Sequence, residues 1–181
     1  MNKIIWMTFM LAAAAGILSA EEKKNPGQQD GPALSSPRFT VQANTNCVLD
    51  NLTGLTWARN ASLAGTNQMT WAEAVAFCKN LDYAGLSGWR LPTFKEFFSL
   101  MDKRFKDPAL SNAAGTERWK ESDPFKGVKT YLNGVCYYWV TTTTAGEPGG
   151  PWLVSARSST LNISSESENG RGYVWPVRDG K

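Results

Sequence analysis

Between Thr70 and Asp102 the apolar positions recur at helical spacing twice in succession. Trp71, Ala74, Val75, Cys78 and Leu81 form one stripe, and Phe94, Phe97, Phe98 and Met101 form another. Each run is preceded by a threonine with a glutamate three residues on, Thr70 with Glu73 and Thr93 with Glu96. This is the spacing of a capping box: the threonine oxygen accepts from the N3 amide, and the glutamate accepts from the N-cap amide. Each cap contributes about 1 kcal/mol. A glycine-containing turn and the tight run Trp89-Arg90-Leu91-Pro92 join the two helices. Further on, Thr141 to Thr144 suits an extended strand, because threonine is β-branched. Ala145 to Pro151 reads as a loop from its glycines and prolines. The stretch from Ser155 to Gly172, rich in serine, asparagine and glycine, reads as a long surface loop or irregular hairpin.

At these residues the chain resembles a known family. TWAEAVAFCKNL followed by AGLSGWRLPTFKEFFSLMD is similar to the motif of the Legionella collagen-like protein C-terminal domain family. Asp50-Asn51-Leu52-Thr53-Gly54-Leu55-Thr56-Trp57 resembles that family's opening segment. Tyr138-Trp139-Val140-Thr141-Thr142 resembles one of its strands, and Tyr173-Val174-Trp175-Pro176-Val177-Arg178 its closing strand. The blocks run in the family's order over roughly residues 39 to 179. The resemblance implies a C-type-lectin-like fold on an exported bacterial protein, and, from the founding member, adhesion to sulfated polysaccharides. The expected fold class is therefore α+β, with two helices packed on a twisted, mainly antiparallel sheet. Strands are expected near 47–50, 54–58, 136–142, 151–156 and 173–178, with the opening and closing strands paired. Asp50, Gly54, Trp57, Trp71, Trp89, Arg90, Pro92, Glu96, Trp139, Trp175 and Arg178 are the positions that the motif assigns to structure.

The chain divides into three parts. Residues 1–20 read as a signal peptide: Lys3 supplies the positive end, Ile4 to Leu18 the apolar stretch, and Ser19-Ala20 the small residues before Glu21. Residues 21–38 are polar and proline-containing and read as a flexible leader. Residues 39–181 suit one domain with one core. Cleavage would leave no stable membrane span and an exported product in the periplasm, on the cell surface or secreted. The formal charge of +3 falls by one when Lys3 leaves, and basic residues are scattered among carboxylates. Nucleic acid is therefore not an expected partner.

The chain contains no histidine. Ser-His-Asp and Cys-His catalysis and His-ligated metals are thereby excluded. No glycine-rich phosphate loop is present, so no cofactor is expected. Three cysteines, Cys47, Cys78 and Cys136, allow one bridge at a time in three pairings. Relatives of the family often carry a cysteine in the closing strand, where this chain has Val174-Trp175-Pro176. The favoured bridge is then Cys47–Cys78, which would contribute about 3 kcal/mol. Cys136 is left as a small buried residue or as a site of intermolecular pairing.

A hydrolase would have to work with carboxylates such as Glu73, Glu96, Asp102 or Asp123. Capping accounts for Glu73 and Glu96, and a turn for Asp102, so no enzyme is expected. Calcium-dependent sugar binding uses Glu-Pro-Asn or Gln-Pro-Asp loops and a later Trp-Asn-Asp. Here Glu147-Pro148 is followed by Gly149 and Trp-Asn-Asp does not occur, so no metal site is expected. Arg90 reads as a structural pin with Asp50, Glu96 or a loop carbonyl as its partner, or else as a guanidinium offered to a ligand; Arg178 poses the same choice. Lys103, Arg104 and Lys106 read as complementing the dipole of the second helix. The candidate ligand-binding residues are Arg118, Trp119, Lys120, Glu147, Trp152 and Arg157. Arg118-Trp119-Lys120 places an aromatic between two cations, although Glu117 and Glu121 flank it and offset much of that charge, and Trp119 and Trp152 lie outside the family-like blocks. The expected function is calcium-independent recognition of polysaccharide or of host or matrix glycoprotein. The alternative is a structural or assembly partner that binds another protein in the bacterial envelope.

Overall fold

The computed structural model describes residues 37–129, 136–143, 150–157, 163–165 and 170–180. The expected signal peptide, most of the leader and Glu147 lie outside them. The elements are β1 (Phe39–Val41), β2 (Cys47–Asp50), β3 (Leu55–Ala58), α1 (Trp71–Lys79), α2 (Phe94–Ser99), β4 (Tyr138–Thr143), β5 (Pro151–Val154), β6 (Ile163–Ser165) and β7 (Val177–Asp179). The protein is α+β, and every named strand pair is antiparallel.

Both capping boxes form. Thr70 Oγ1 accepts from the Glu73 amide at 3.4 Å, and Glu73 Oε2 accepts from the Thr70 amide at 2.8 Å. The corresponding distances at Thr93 and Glu96 are 3.2 and 2.7 Å. The strands differ from expectation in number and in grouping. In place of one sheet there are two: β1-β2-β3-β7 and β4-β5-β6. Strands β1 and β6 come from segments read as a domain edge and a loop. The closing segment is also not one strand. Tyr173 donates its amide to the Tyr137 carbonyl beside β4, whereas Val177 pairs with Trp57 in β3. Between them stands Pro176, which has no amide to donate, so a ladder cannot continue through it. The segment therefore leaves one sheet and joins the other.

The Trp89-Arg90-Leu91-Pro92 run makes a second link between the sheets. Arg90 exchanges both backbone hydrogen bonds with Val177 at 2.9 Å, and the Pro92 carbonyl accepts from the Thr141 amide in β4 at 2.8 Å. Gly54, at φ +73°, takes the left-handed turn that reverses the chain from β2 into β3. Arg38, assigned by composition to the leader, is buried with the domain. Its guanidinium grips Asp50 through two bonds of 3.0 and 2.9 Å and donates to the Ser99 carbonyl at 2.8 Å. This ties the start of β1 to the end of β2 and of α2.

The pleat of the second sheet sorts the core into two parts. Side chains alternate along a strand, and Tyr138, Val140 and Val154 enter the larger apolar cluster with Trp57, Phe97, Phe125 and Trp175. Trp139 and Leu153, which are register partners, point the other way into a smaller cluster with Ala74, Cys78, Leu91 and Val174. Helix α1 therefore packs on one face of β4-β5, and α2 with the first sheet on the other. Trp175 lies at the centre of the larger cluster, with ring centroids 5.7 Å from Trp57, 6.0 Å from Phe97, 5.0 Å from Phe125 and 5.5 Å from Tyr138. Its indole nitrogen donates to the Ala58 carbonyl at 2.9 Å.

The same division corrects the cysteine pairing. Cys47 and Cys78 are both buried free thiols, and each sits in a different cluster, so the expected bridge is not formed. The reason is that the inner face of α1 turns toward Trp139 and Leu153, away from the cluster that holds β2. Cys136 is half-buried.

Two outcomes follow from this packing. Trp175→Ala should cost about 3–5 kcal/mol of stability, the range for emptying a large buried aromatic site, as read by urea denaturation. Burial pushes the Cys78 thiol from its ordinary 9.0 up to about 12. The folded chain thus keeps a proton that the unfolded chain releases. Stability is fully present below the unfolded value and declines as pH rises from about 9 toward 12. Unfolding free energies across that window should fall, and Cys78→Ala should make the fall shallower.

Candidate functional site

Several residues with a choice of roles have their polar groups used within the fold. Arg90 gives Nη1 and Nη2 to the two oxygens of Glu96, each at 2.7 Å, and Nη2 also reaches Asp179 at 3.0 Å. Burial raises the Glu96 pKa, but the bonds from Arg90 and the Thr93 amide outweigh it and leave the carboxyl below the usual range. The Arg90 fork is thus occupied by protein, as a structural pin would be. Asp102 accepts from the Arg104 amide at 3.0 Å and from its side chain, and Asp123 accepts from the Ala113 amide at 3.0 Å. With Glu73 and Glu96 in their caps, each of the four carboxylates weighed for hydrolysis holds a local piece of backbone. Among the described residues, no group of three or more cysteine, aspartate or glutamate side chains is gathered as metal ligands would be.

The candidate aromatics lean on the core. Trp119 is half-buried against the larger cluster, and its indole nitrogen donates to the Phe125 carbonyl at 3.1 Å. Trp152 packs on the same cluster with its ring edge-on to Phe94 at 5.6 Å. Lys120 is exposed beside Glu117, 3.4 Å away. Of the basic residues after α2, Arg104 is committed to Asp102 and the Gly115 carbonyl.

What the fold does bring together is Arg118, Arg157 and Lys106. The segment 106–111 runs between two others. On one side the Asp107 amide donates to the Arg157 carbonyl and the Ala109 amide to the Ala156 carbonyl, both at 2.8 Å. On the other side the Trp119 amide donates to the Leu110 carbonyl at 2.9 Å, and Ser111 bridges Arg118. These bonds set two guanidinium groups beside Lys106-Asp107. Arg118 Nη1 donates to the Lys106 carbonyl at 3.3 Å, and Arg157 Nε lies 3.3 Å from Asp107 Oδ1. All four side chains are exposed. Two guanidinium groups on a segment that also carries Lys106 make this a basic edge, assembled from residues far apart in the chain.

A second concavity lies beside α1, an open groove of about 1210 Å³. One wall is the outward face of the helix, with Glu73, Ala76, Phe77 and Asn80 at successive same-face positions. The other is held by Met69 and Gly172, which exchange backbone bonds of 2.9 Å each way. Gly172 is required there, because a Cβ would run into the Leu153 side chain and stand 3.1 Å from Trp139 Nε1. Arg171 and Tyr173 flank it and line the groove. The Thr70 amide and hydroxyl hold Glu73 below the usual carboxylate range, with a smaller contribution from the Arg171 charge. The apolar spacing of α1 marks only its inner stripe, although its polar side carries the same helical spacing.

The family model for the Lcl C-terminal domain matches residues 46–178. No curated protein and no solved structure matches the chain. The matched span contains both helices, both inter-sheet links, the basic edge and the groove, and this chain belongs to the Lcl C-terminal domain family.

Proposed function

We infer that the domain is a non-catalytic, exported binding module of C-type-lectin-like architecture that recognises anionic polysaccharide without calcium. The observation that carries this reading is the basic edge, where backbone bonds on both sides of segment 106–111 hold Arg118 against Lys106 and Arg157 against Asp107. Guanidinium groups suit sulfate and carboxylate because their planar donors match two oxygens at once. Asp107 neutralises part of the charge and orients Arg157, leaving the edge net positive. The lectin-like architecture is supported by helices on opposite faces of β4-β5 and by the closing strand pairing with β3. Export is supported by the apolar stretch at residues 4–18. The non-catalytic reading is supported by the local backbone roles of Glu73, Glu96, Asp102 and Asp123. Calcium independence rests on the isolated Glu147-Pro148 and the missing Trp-Asn-Asp. The envelope-assembly alternative would draw support from an exposed apolar surface around Trp119 or Trp152, and both of those rings pack on the core.

Retention of the full chain on immobilised heparin should be salt-sensitive. Each exposed cation is worth about 0.5–1 kcal/mol, so Arg118→Ala with Arg157→Ala should weaken binding roughly tenfold. Asp107→Asn should do the opposite, because it removes the carboxylate while asparagine tolerates the left-handed backbone at that position (φ +50°). Heparin passing unretained at low salt, or elution that neither substitution moves, would sink the proposal.

A further inference from the structure

The groove beside α1 carries chemistry that the basic edge lacks, and three properties of its lining select a ligand. The first is charge. Glu73 and Asp82 outnumber Arg171 in the lining, and with Lys129 Nζ 5.3 Å from the Tyr173 ring the groove carries no net positive charge, so it disfavours the polyanion that suits the basic edge. The second is an ion pair left open. Glu73 uses Oε2 to hold the Thr70 amide at 2.8 Å, and Arg171 uses Nη1 to hold the Gln68 carbonyl at 2.9 Å. The two charges influence each other without an ion pair among the described residues, where the one hydrogen bond of the Arg171 guanidinium is that from Nη1. A hydroxyl donates to a carboxylate and accepts from a guanidinium, so neighbouring hydroxyls on one ligand can serve both sides. The third is surface. Phe77 and Tyr173 are half-buried and offer apolar ring area next to these polar groups, while the exposed amides of Asn67 and Asn80 each supply a donor and an acceptor. Apolar ring faces beside convergent hydroxyl partners match a pyranose, which has C–H faces and a hydroxyl rim.

We propose that this groove is a binding site for a neutral, hydroxyl-rich oligosaccharide. The site is built from different residues than the basic edge and takes a ligand of different charge, so neither reading depends on the other.

Isothermal titration of the full chain with neutral hexasaccharides of α-linked glucose, β-linked glucose and N-acetylglucosamine tests it. At least one should bind saturably, with an affinity that stays within roughly twofold between about 0.05 and 0.5 M NaCl, since no net charge is screened. Ala76→Trp, from an exposed position on the helix wall, should weaken that binding by roughly tenfold or more by filling the groove. Its heparin retention and thermal midpoint should stay at the parent values. Arg171→Gln should weaken the same binding and guards against an Ala76→Trp chain that fails to fold. The proposal falls if no neutral sugar binds at millimolar concentration, or if binding survives both substitutions. It also falls if the groove takes oligolysine in their place, which would make it an acidic peptide site. Loss of heparin retention with sugar binding intact removes the basic edge alone.

Discussion

The packing of four aromatic rings around Trp175 is the constraint on which the rest of this structure depends. Trp57 comes from β3, Phe97 from α2, Phe125 from the long irregular region and Tyr138 from β4. No two of these share an element, so one side chain sets the spacing of four pieces of backbone. Edge-on and tilted contacts predominate, which suits the ring quadrupoles and also fixes orientation. The bond from the Trp175 indole to Ala58 removes the remaining freedom of the ring. Both outer surfaces considered for binding are carried on backbone that this arrangement holds in place.

Around that centre, the second sheet separates two cores of different size. The division follows from the period-2 alternation of Tyr138, Trp139 and Val140, all three buried. A strand buried on both faces cannot show the apolar–polar alternation of a surface strand. That is why α1 and α2, which look alike in sequence, pack on opposite sides of one sheet. It is also why Cys47 and Cys78 are in separate clusters. The described stretch 100–129 after α2 is organised by backbone bonds and side-chain donors, with Arg59 donating to the carbonyls of Thr45, Ser122 and Pro124.

Local features were legible in the sequence and long-range ones were less so. Both capping boxes and both helices followed from spacing alone, because a cap is decided within four residues. Cys47–Asp50 was placed correctly as a strand, and the Arg90–Glu96 pair was among the partners considered. Strand β1 is not legible because three residues carry too little periodicity, and β6 pairs with the preceding β5 inside the stretch that reads as a loop or irregular hairpin. The split of the closing segment was visible in Pro176 once one asks where its missing amide would have to donate. Arg38 looked like leader composition because its partner, Asp50, lies twelve residues on and across a turn. At the candidate sites, Arg118 and Arg157 stand out in the sequence, but their placement beside Lys106-Asp107 depends on backbone bonds over some fifty residues. The groove was illegible for the same reason: one wall is a helix and the other comes from the far end of the chain.

The placement of Trp175 and β7 imposes an order in time. A ribosome delivers the chain from its beginning, so β1, β2, β3 and both helices emerge before the residue that unites them. Until positions 173–179 are available, β3 lacks one of its two neighbours, both links between the sheets are incomplete, and four aromatic rings lack their common contact. The domain is therefore built to finish folding late. The earlier elements wait longest for their partner rings, and the stretch 173–179 sets the moment at which the core can close.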